Sequence, residues 1–361
     1  MVDCCDLAFR ILTRRHGCNL CYTAMMHSRL LIEDPGYMDE NFQTCEEDHP
    51  LTCQLNGNNP EYLLKASQKL EPFCEAIDLN LGCPQGIAKR GCYGAYLLPK
   101  YDIIEQIVKR IVPNIHIAFT AKIRLLCDFN DTIRLVKMLE REGCQLITVH
   151  GRTKEQNKDK IGSCDWNKIK AVKESVNIPV FANGGIECYE DIQRCIDYTH
   201  VDGVMIGEAI LENPAICTNG KDIHGNPIGV DDIVNEYLDL ASVYPPHPSE
   251  IRNHLFKILY RAFQYFPEKR SQLALNPLNT AESLLQVRDL VKELREAMNS
   301  RGDSWVLTDC TQCENSWYLR HRNINGPETD PRPRSVSSSS SDSDVQCGNL
   351  FGFNNDDDDD F

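Results

Sequence analysis

Residues 117–150 read IAFTAKIRLLCDFNDTIRLVKMLEREGCQLITVH and contain one complete repeat of the pattern from which the fold is predicted. A short apolar, β-branched run covers Ile117–Arg124, an amphipathic stretch covers Asp131–Glu142, and a second apolar run covers Gln145–His150. This succession predicts a strand, a helix and another strand, which is the βα unit of a parallel sheet.

The same alternation occurs on both sides of this repeat. The other predicted strands are Asn19–Met25, Leu51–Asn56, Ala76–Leu81, Ile178–Asn183 and Gly203–Gly207, and the other predicted helices are Asp6–Arg15, Pro60–Pro72, Tyr101–Val112, Trp166–Val176 and Tyr189–Asp197. Seven strands are visible, whereas a closed (β/α)8 TIM-type barrel needs eight. Only Met1 and Val2 precede the place where the first helix begins, so we expect an α/β barrel over residues 1–218 whose first strand is truncated.

The alternation stops after Asn213 and Pro214. Helical patterns at Asp231–Ala241, Ser249–Tyr265 and Thr280–Ser300 predict a small all-helical domain over residues 230–305. Residues 327–361 are rich in Ser and Asp and have too little apolar content to form a core, so we expect a disordered acidic tail.

Composition and cysteine usage narrow the class of protein. The 361 residues contain no run of about 18 apolar residues, so we expect a soluble intracellular protein, cytoplasmic or nuclear, without a membrane partner. The 18 cysteines are spread along a long, ordinary sequence, and we interpret them as reduced. Cys310 and Cys313 form a CxxC pair with His321 nearby, but a zinc site needs four ligands and a second pair is missing. We therefore expect no metal.

The net charge of −15 argues against nucleic-acid binding until its distribution is considered. The predicted tail carries −7, which leaves −8 for the rest of the chain. Residues 252–301, by contrast, contain nine Lys or Arg against five acids. A basic helical module is therefore predicted on an acidic body.

Parallel barrels place functional groups at the carboxyl ends of their strands. The fourth strand ends in DLNLGCPQ, residues 78–85, where Cys83 stands between Gly82 and Pro84 at the mouth of the barrel. Such a cysteine is a candidate acid, nucleophile or thiolate. The alternative is a buried thiol that acts as a small apolar side chain, which is the usual fate of a free cysteine.

Other strand ends contribute polar side chains to the same mouth. The third strand contributes Gln54, the fifth has Lys122 and Arg124, and the sixth has His150 and Arg152. We expect only one of Lys122 and Arg124 to face the lumen, and a lysine there would need an anionic partner. Glycines follow the last two strands, in FANGGI (181–186) and MIGEA (205–209), and would let the backbone approach a phosphate. Together these features describe a site for a cofactor with a phosphate at one end and a ring near Lys122, which is the shape of FMN.

Several strings resemble the signatures of tRNA-dihydrouridine synthases. They are DLNLGCPQ (78–85), IAKRG (87–91), YGAYLL (93–98), VHGRTKEQ (149–156) and PVFANGGI (179–186). VHGRTKEQ with CYTAMMHS (21–28) is most similar to the eukaryotic class that acts on D-loop uridines at tRNA positions 16 and 17. The resemblance implies FMN-dependent reduction of the uracil C5–C6 double bond driven by NADPH or NADH, with hydride passing from flavin N5 to C6 and a proton from Cys83 to C5. It also implies that the FMN contacts are Met1, Val2, Gln54, Lys122, His150, Asn183, Gly184, Gly185, Gly207 and Glu208.

A tRNA substrate requires groups that bind phosphates. We expect these to be Lys89 and Arg90 beside the catalytic loop, Arg152 on the barrel rim, and Lys292 and Arg295 in the helical module, acting in a monomer. Changing Lys292 and Arg295 to Ala is predicted to flatten the slope of log K against log salt by about two. A solvated helix face is the alternative interpretation of these lysines and arginines. Two rival functions stay open, an FMN barrel oxidoreductase acting on a free pyrimidine and an inactive tRNA-binding homologue.

Overall fold

The structure is a computed structural model that describes residues 4–157 and 160–307. All its strand pairs are parallel. The strands are β1 (Cys21–Tyr22), β2 (Met26–His27), β3 (Leu51–Asn56), β4 (Ala76–Leu81), β5 (Ala118–Leu125), β6 (Leu146–Thr153), β7 (Val180–Asn183) and β8 (Gly203–Met205). Their spatial order is β1-β3-β4-β5-β6-β7-β8, and β2 also pairs with β3.

The two shortest strands, β1 and β2, occupy one position in the sheet. Cys21 pairs with Leu51 near the start of β3, and Met26 pairs with Leu55 near its end. They are therefore two halves of the strand predicted at Asn19–Met25, interrupted where the Thr23 hydroxyl accepts a hydrogen bond of 3.0 Å from the backbone N–H of Gln54. The seven predicted strand positions are confirmed.

The sheet is a TIM-barrel-like parallel half-barrel with helices outside it. Among the described residues, β1 and β8 have no strand on their outer edges, so the ring is not closed by backbone hydrogen bonds there. Met1 and Val2, on which the expectation of a truncated first strand rests, lie outside the described residues, as does the predicted tail at 327–361.

The helices of the first part of the chain are α1 (Leu7–Arg15), α2 (Ser28–Glu33), α3 (Tyr37–Asn41), α4 (Pro60–Leu70), α5 (Gly86–Gly91), α6 (Tyr101–Ile111), α7 (Phe129–Arg141), α8 (Trp166–Ser175), α9 (Tyr189–Thr199) and α10 (Ala209–Glu212). Short polar side chains cap the starts of several: Asp6 accepts from the Phe9 N–H, Asn59 from Glu61 and Asp128 from Asn130. These caps explain why the predicted helices begin within about two residues of the observed ones.

The remaining helices are α11 (Val230–Val243), α12 (Pro248–Ile258), α13 (Tyr260–Tyr265), α14 (Pro267–Leu275) and α15 (Ala281–Ser300). The helix predicted over Ser249–Tyr265 is divided at Leu259, and α14 was not predicted. Pro267 begins α14, but only Leu273 in it is buried, so the sequence there lacks an amphipathic pattern. No helix in the described ranges has the length and apolarity needed to cross a bilayer.

Two buried apolar clusters hold the chain together. One lies between the sheet and the helices that surround it. The other combines the five helices α11–α15 with α1 and α10, so that Phe9 and Leu12 near the start of the chain pack with Tyr237. The helix that precedes the barrel therefore belongs to the core of the helical region, and the division into residues 1–218 and 230–305 stays a prediction.

Candidate active site

Even-numbered residues of β3 to β6 face the inside of the sheet. The strand register aligns Gln54, Asp78 and Thr120 in one row and Asn80, Lys122 and Thr148 in the next, while their odd-numbered neighbours, such as Leu55, Leu79, Ile123 and Val149, belong to the apolar core. Lys122 and Arg124 therefore both face the inside. Our expectation that only one of them does so was wrong, because residues two apart on a strand point to the same side.

The turn after β4 holds Cys83. The side-chain oxygen of Asn80 accepts hydrogen bonds from the backbone N–H groups of Gly82 and Cys83, at 2.9 and 3.0 Å. The Cys83 carbonyl accepts from the N–H of Ala95 at 3.0 Å. Gly94 has φ +57°, and a Cβ placed on it would lie 2.8 Å from the Cys83 carbonyl oxygen, so only glycine permits this close approach.

The Cys83 thiol is not part of the apolar core. Its Sγ lies 3.7 Å from the side-chain oxygen of Gln85, and the residue is half-buried at the end of its strand. Cys53 and Cys144, by contrast, are buried within the apolar core. The interpretation of Cys83 as a small apolar side chain therefore does not fit its surroundings.

Lys122 lies beside the Cys83 turn. A Cβ placed on Gly82 would lie 3.7 Å from the Lys122 Nζ. Burial, and next the charge of Arg124, lower the pKa of Lys122 to about 8, although the charge of Asp78 opposes them. The ammonium forms no hydrogen bond or ion pair with another described residue. It is thus a cationic group available to an anionic ligand.

Arg124 links two of the strand ends. It donates to the Gly82 carbonyl at 2.8 Å and to the Thr153 carbonyl at 2.8 Å. Burial and then the charge of Arg152 lower the pKa of Arg124 to about 10, against the opposing effects of Cys83 and Glu208. Arg124 therefore holds the Cys83 turn against the end of β6, a role that sequence reasoning missed.

His150 and Arg152 lie side by side on β6, with 3.2 Å between His150 Nε2 and Arg152 Nη1. Arg152 is only 5% exposed, and it donates from Nε to the Gly162 carbonyl at 3.1 Å. Its Nη2 atom is buried and lacks a hydrogen-bond partner among the described residues. The Arg152 side chain therefore turns inward to His150 at the end of β6, and its contact with RNA stays a prediction.

The FANGGI turn packs against two rings. Gly184 and Gly185 have φ +92° and +78°, and a Cβ on them would lie 2.8 Å from His150 Cδ2 and 2.9 Å from Trp166 Nε1. The Trp166 indole N–H donates to the Gly184 carbonyl at 3.2 Å. The glycines are thus required by close packing of the turn. Trp166 was missed as a site residue, and the predicted phosphate contact stays a prediction.

Asn183, Gly207 and Glu208 complete the ends of the last two strands. The Asn183 amide donates to the Met205 carbonyl at 2.8 Å and so joins β7 to β8. Gly207 and Glu208 follow β8 and are half-buried, and the charge of Glu208 is near enough to raise the pKa of Arg124. The predicted cofactor residues from Gln54 to Glu208 all stand on or directly after strands of the one sheet.

The predicted RNA-binding residues divide into two groups. Lys89 and Arg90 are exposed on α5, next to the Cys83 turn. Lys292 is exposed on α15, but Arg295 forms an ion pair with Asp231 on α11 at 2.6 Å.

Other basic residues of the helical module are also paired. Arg288 pairs with Asp239 at 2.6 Å, and Lys269 pairs with Glu293. The positive excess counted over residues 252–301 omitted the acids of α11 that neutralise it.

Side chains that could bind a metal ion are not grouped in the described part of the chain. Within residues 4–157 and 160–307, no group of three or more His, Cys, Asp or Glu side chains is placed to hold a metal ion. Cys310, Cys313 and His321 lie outside the described residues.

Comparison with known proteins assigns this arrangement to a family. The family model described as "Dihydrouridine synthase (Dus)" matches residues 1–299. The chain is 42% identical over 294 residues to a mouse protein named tRNA-dihydrouridine(16/17) synthase [NAD(P)(+)]-like, covering 81% of the chain and 60% of that protein. A Schizosaccharomyces pombe tRNA-dihydrouridine(16/17) synthase is 39% identical over 76% of the chain and 71% of its own length. A human tRNA-dihydrouridine(20a/20b) synthase-like protein is 35% identical over 60% of the chain and 68% of its own length.

The chain therefore spans about three fifths of the length of the mouse relative. The family match, by contrast, runs through the sheet, the Cys83 turn and most of the helical region. Because that match covers well over half of the sequence and includes every described strand end discussed above, the chain belongs to the dihydrouridine synthase family.

Proposed function

We propose that the chain is a tRNA-dihydrouridine(16/17) synthase, which reduces the C5–C6 double bond of D-loop uridines with FMN as cofactor and NADPH or NADH as electron donor. The observation that carries the proposal is the half-buried Cys83 thiol, held at a strand end beside Lys122 and Arg124. The family membership and the names of the mouse and fission-yeast relatives support the same reaction.

The residues at the strand ends fit a flavin phosphate cofactor. Lys122 feels the charge of Asp78 but forms no ion pair with a described carboxylate, and Arg152 Nη2 is buried without an acceptor among the described residues. Both cationic groups can therefore bind an anionic ligand. FMN would be held by Gln54, Lys122, His150, Asn183 to Gly185, and Gly207 with Glu208. When bound, it would supply the hydride that the protein cannot provide.

The protein's own part of the chemistry is small. The Cys83 thiol holds the proton for uracil C5, because it is a half-buried acid fixed on a turn beside the site. The positive charge of Lys122 stabilises negative charge that develops near it, and partial burial strengthens that effect. His150 and Arg152 keep each other oriented on the neighbouring strand.

A tRNA substrate must extrude the uridine from its stack to reach these residues. The exposed Lys89 and Arg90 on α5 stand beside the Cys83 turn and are placed to bind phosphates around the extruded base. Lys292, which is exposed on α15, is a further candidate. We propose that the enzyme acts as a monomer in the cytoplasm or nucleus.

The decisive experiment compares two cysteine variants. Cys83→Ala is expected to keep FMN and tRNA binding and to lose most dihydrouridine formation, because no other acid stands at that position. Cys92→Ala should have a mild effect, since Cys92 lies directly after α5 and contacts Asn58 through its backbone carbonyl, which alanine retains. Dihydrouridine is measured by mass spectrometry of digested tRNA, and an active Cys83→Ala beside an inactive Cys92→Ala would overturn the assignment.

Mapping the modified position tests the substrate. Reduction at positions 16 and 17 supports the proposal, whereas reduction at 20a or 20b would follow the human relative's name instead. Reduction of free uracil without tRNA would favour an oxidoreductase of free pyrimidines. Purified protein that binds tRNA but takes up no flavin would favour an inactive homologue.

A further inference from the structure

Three buried polar side chains bond in a row beneath the Cys83 turn. The Gln54 amide donates from Nε2 to Oδ2 of Asp78 at 2.8 Å, and its Oε1 accepts from Asn80 Nδ2 at 2.8 Å. Asn80 Oδ1 in turn accepts from the backbone N–H groups of Gly82 and Cys83. Asp78 is fully buried, and Gln54 and Asn80 are 8% and 9% exposed, so water does not substitute freely for these partners.

The backbone N–H groups at one end of this row and the Asp78 carboxylate at the other determine how the Asn80 and Gln54 amides are oriented. The backbone N–H groups at one end can only donate, so Asn80 must present its oxygen to them and its NH2 to Gln54. Gln54 must then present its oxygen to Asn80 and its NH2 to Asp78. An ionised carboxylate can only accept, so Asp78 accepts from the Gln54 NH2 group. Each of these side-chain NH2 groups then has an acceptor in the row.

We propose that Asp78 is a positioning residue for Cys83: as an acceptor at the end of the row, it orients the amides of Gln54 and Asn80 so that Asn80 holds the Cys83 turn. The inference rests on the proposed function only where it takes Cys83 as the proton donor. The orientation of the turn is a property of the protein and is measurable without a reaction.

Two further observations support a role beyond packing. Asp78 Oδ1 accepts from the Thr120 hydroxyl at 2.7 Å, so both carboxyl oxygens are used as acceptors. Burial raises the pKa of Asp78 to about 6, while the Thr120 and Gln54 hydrogen bonds and the Lys122 charge limit the rise. The group is therefore mainly ionised at neutral pH, although an amide of the same shape would fill the space without burying a charge.

The first variant is Asp78→Asn, which changes almost no volume but replaces one acceptor by a donor. Apart from position 78, the Thr120 hydroxyl has only the Ile77 carbonyl as an acceptor among the described residues, at 3.5 Å, so it keeps donating to the side-chain oxygen at position 78. The new NH2 group then faces Gln54 and is satisfied by turning over the Gln54 amide. That change turns over the Asn80 amide and points its NH2 at two backbone N–H groups. The Cys83 turn loses its acceptor, and the thiol becomes easier to reach.

The readout is the alkylation rate of each cysteine by iodoacetamide in the full chain, resolved by peptide mass spectrometry. In Asp78→Asn, Cys83 is expected to react about fivefold faster, the factor that corresponds to loss of about one hydrogen bond. The exposed Cys127 serves as the unchanged reference. The buried Cys53 and Cys144 should stay unreactive, because the rest of the sheet is intact.

A second variant tests the direction of the row itself. Adding Gln54→Glu to Asp78→Asn returns a carboxylate to the row, one strand away, where it accepts from the new amide at position 78 and from Asn80. The Asn80 oxygen can then face the Cys83 turn again. The Cys83 rate should return most of the way to that of the original protein, which a purely structural role for Asp78 does not predict.

Three outcomes would overturn the inference. They are an unchanged Cys83 alkylation rate in Asp78→Asn, alkylation of Cys53 and Cys144 in that variant as fast as that of Cys83, and no recovery of the Cys83 rate in the double variant. Dihydrouridine formation by Asp78→Asn should fall in parallel with the change in labelling. If the original protein forms no dihydrouridine, the proposed function fails, and the labelling still decides the role of Asp78.

Discussion

Arg295 on α15 donates from Nη1 to Oδ2 of Asp231 on α11, at 2.6 Å. A guanidinium already paired with a carboxylate of its own protein releases few counterions when RNA approaches. The charge of Arg295 therefore contributes to holding α15 against α11 more than to binding a phosphate. Lys292, one turn earlier on the same helix, is exposed and forms no ion pair with another described residue.

This pairing revises the expected salt dependence of tRNA binding. Lys292→Ala should flatten the slope of log K against log salt by about 0.7 to 0.9, the contribution of one phosphate contact. Arg295→Ala should change it by much less, so the double variant gives a change of about one and not the two that the sequence predicts. Titrations of labelled tRNA at several salt concentrations measure the slopes, with Lys89→Ala as the comparison on the barrel rim. A change of about two in the double variant would show that Arg295 leaves Asp231 to bind RNA.

The depressed pKa of Lys122 predicts pH-dependent FMN binding. Because burial and Arg124 lower this pKa to about 8, the ammonium loses its proton as pH rises through that value in the protein without ligand. Affinity for anionic FMN should therefore be highest below pH 8 and decrease above it. Quenching of FMN fluorescence on titration with the flavin-free protein measures the affinity. In Lys122→Met, FMN binding should be weaker, and the decrease in affinity above pH 8 should disappear. If the variant keeps that decrease, a group other than Lys122 is titrating.

The raised pKa of Asp78 predicts a stability cost near neutral pH. A carboxyl whose pKa is about 6 in the folded protein, against 3.8 in the unfolded chain, binds its proton more tightly when folded. Its contribution is thus most favourable below about pH 4 and declines as pH rises from 4 to 6, by roughly 3 kcal/mol. As the pH rises from 4 to 7, the free energy of unfolding of Asp78→Asn should therefore increase relative to that of the original protein. Urea denaturation at both pH values tests this, and a difference independent of pH would mean that Asp78 is not titrating in this range.

Asp6 attaches the start of the chain to the helical region. Its Oδ2 lies 2.7 Å from Nε2 of His254, which is fully buried and stacks on Phe9 with ring centroids 3.9 Å apart. Asp6→Ala should lower the free energy of unfolding by about 3–5 kcal/mol, since it leaves a buried partner unpaired. Asp128→Ala is the matched control, because Asp128 caps α7 on the surface and its loss should cost only about 1 kcal/mol.

The pH dependence of the Asp6 contribution has the opposite sign to that of Asp78. Burial tends to raise the pKa of Asp6, but the charge of and hydrogen bond to His254, together with the Phe9 N–H, lower it below 3.8 overall. The stabilisation is therefore present above about pH 4 and is lost as the pH falls further. Equal denaturation midpoints for Asp6→Ala and Asp128→Ala at pH 7 would contradict the importance of the pair.

Local sequence patterns predict the strands, most of the helices and the turn that holds Cys83. These depend on local information: strand and helix periods, caps such as Asp6 and Asn59, and the glycine and proline that flank the cysteine. Alternation along β5 also predicts that Lys122 and Arg124, two residues apart, point to the same side of the strand. The expectation that only one of them faces the inside misapplied this pattern. The failure at α14 has a physical reason too, because a helix that buries a single leucine leaves almost no pattern in its sequence.

Which side chains meet in the site depends on how the strands and helices pack together. Asp78, Gln54 and Asn80 come from two strands, and their bonds depend on a strand register that no local pattern contains. The inward turn of Arg152 and the neutralisation of Arg295 by a residue 64 positions away depend likewise on packing between elements. Charge and hydrogen bonding act through space over a few ångströms, so residues far apart in the chain determine whether a basic side chain binds RNA, a cofactor or its own protein.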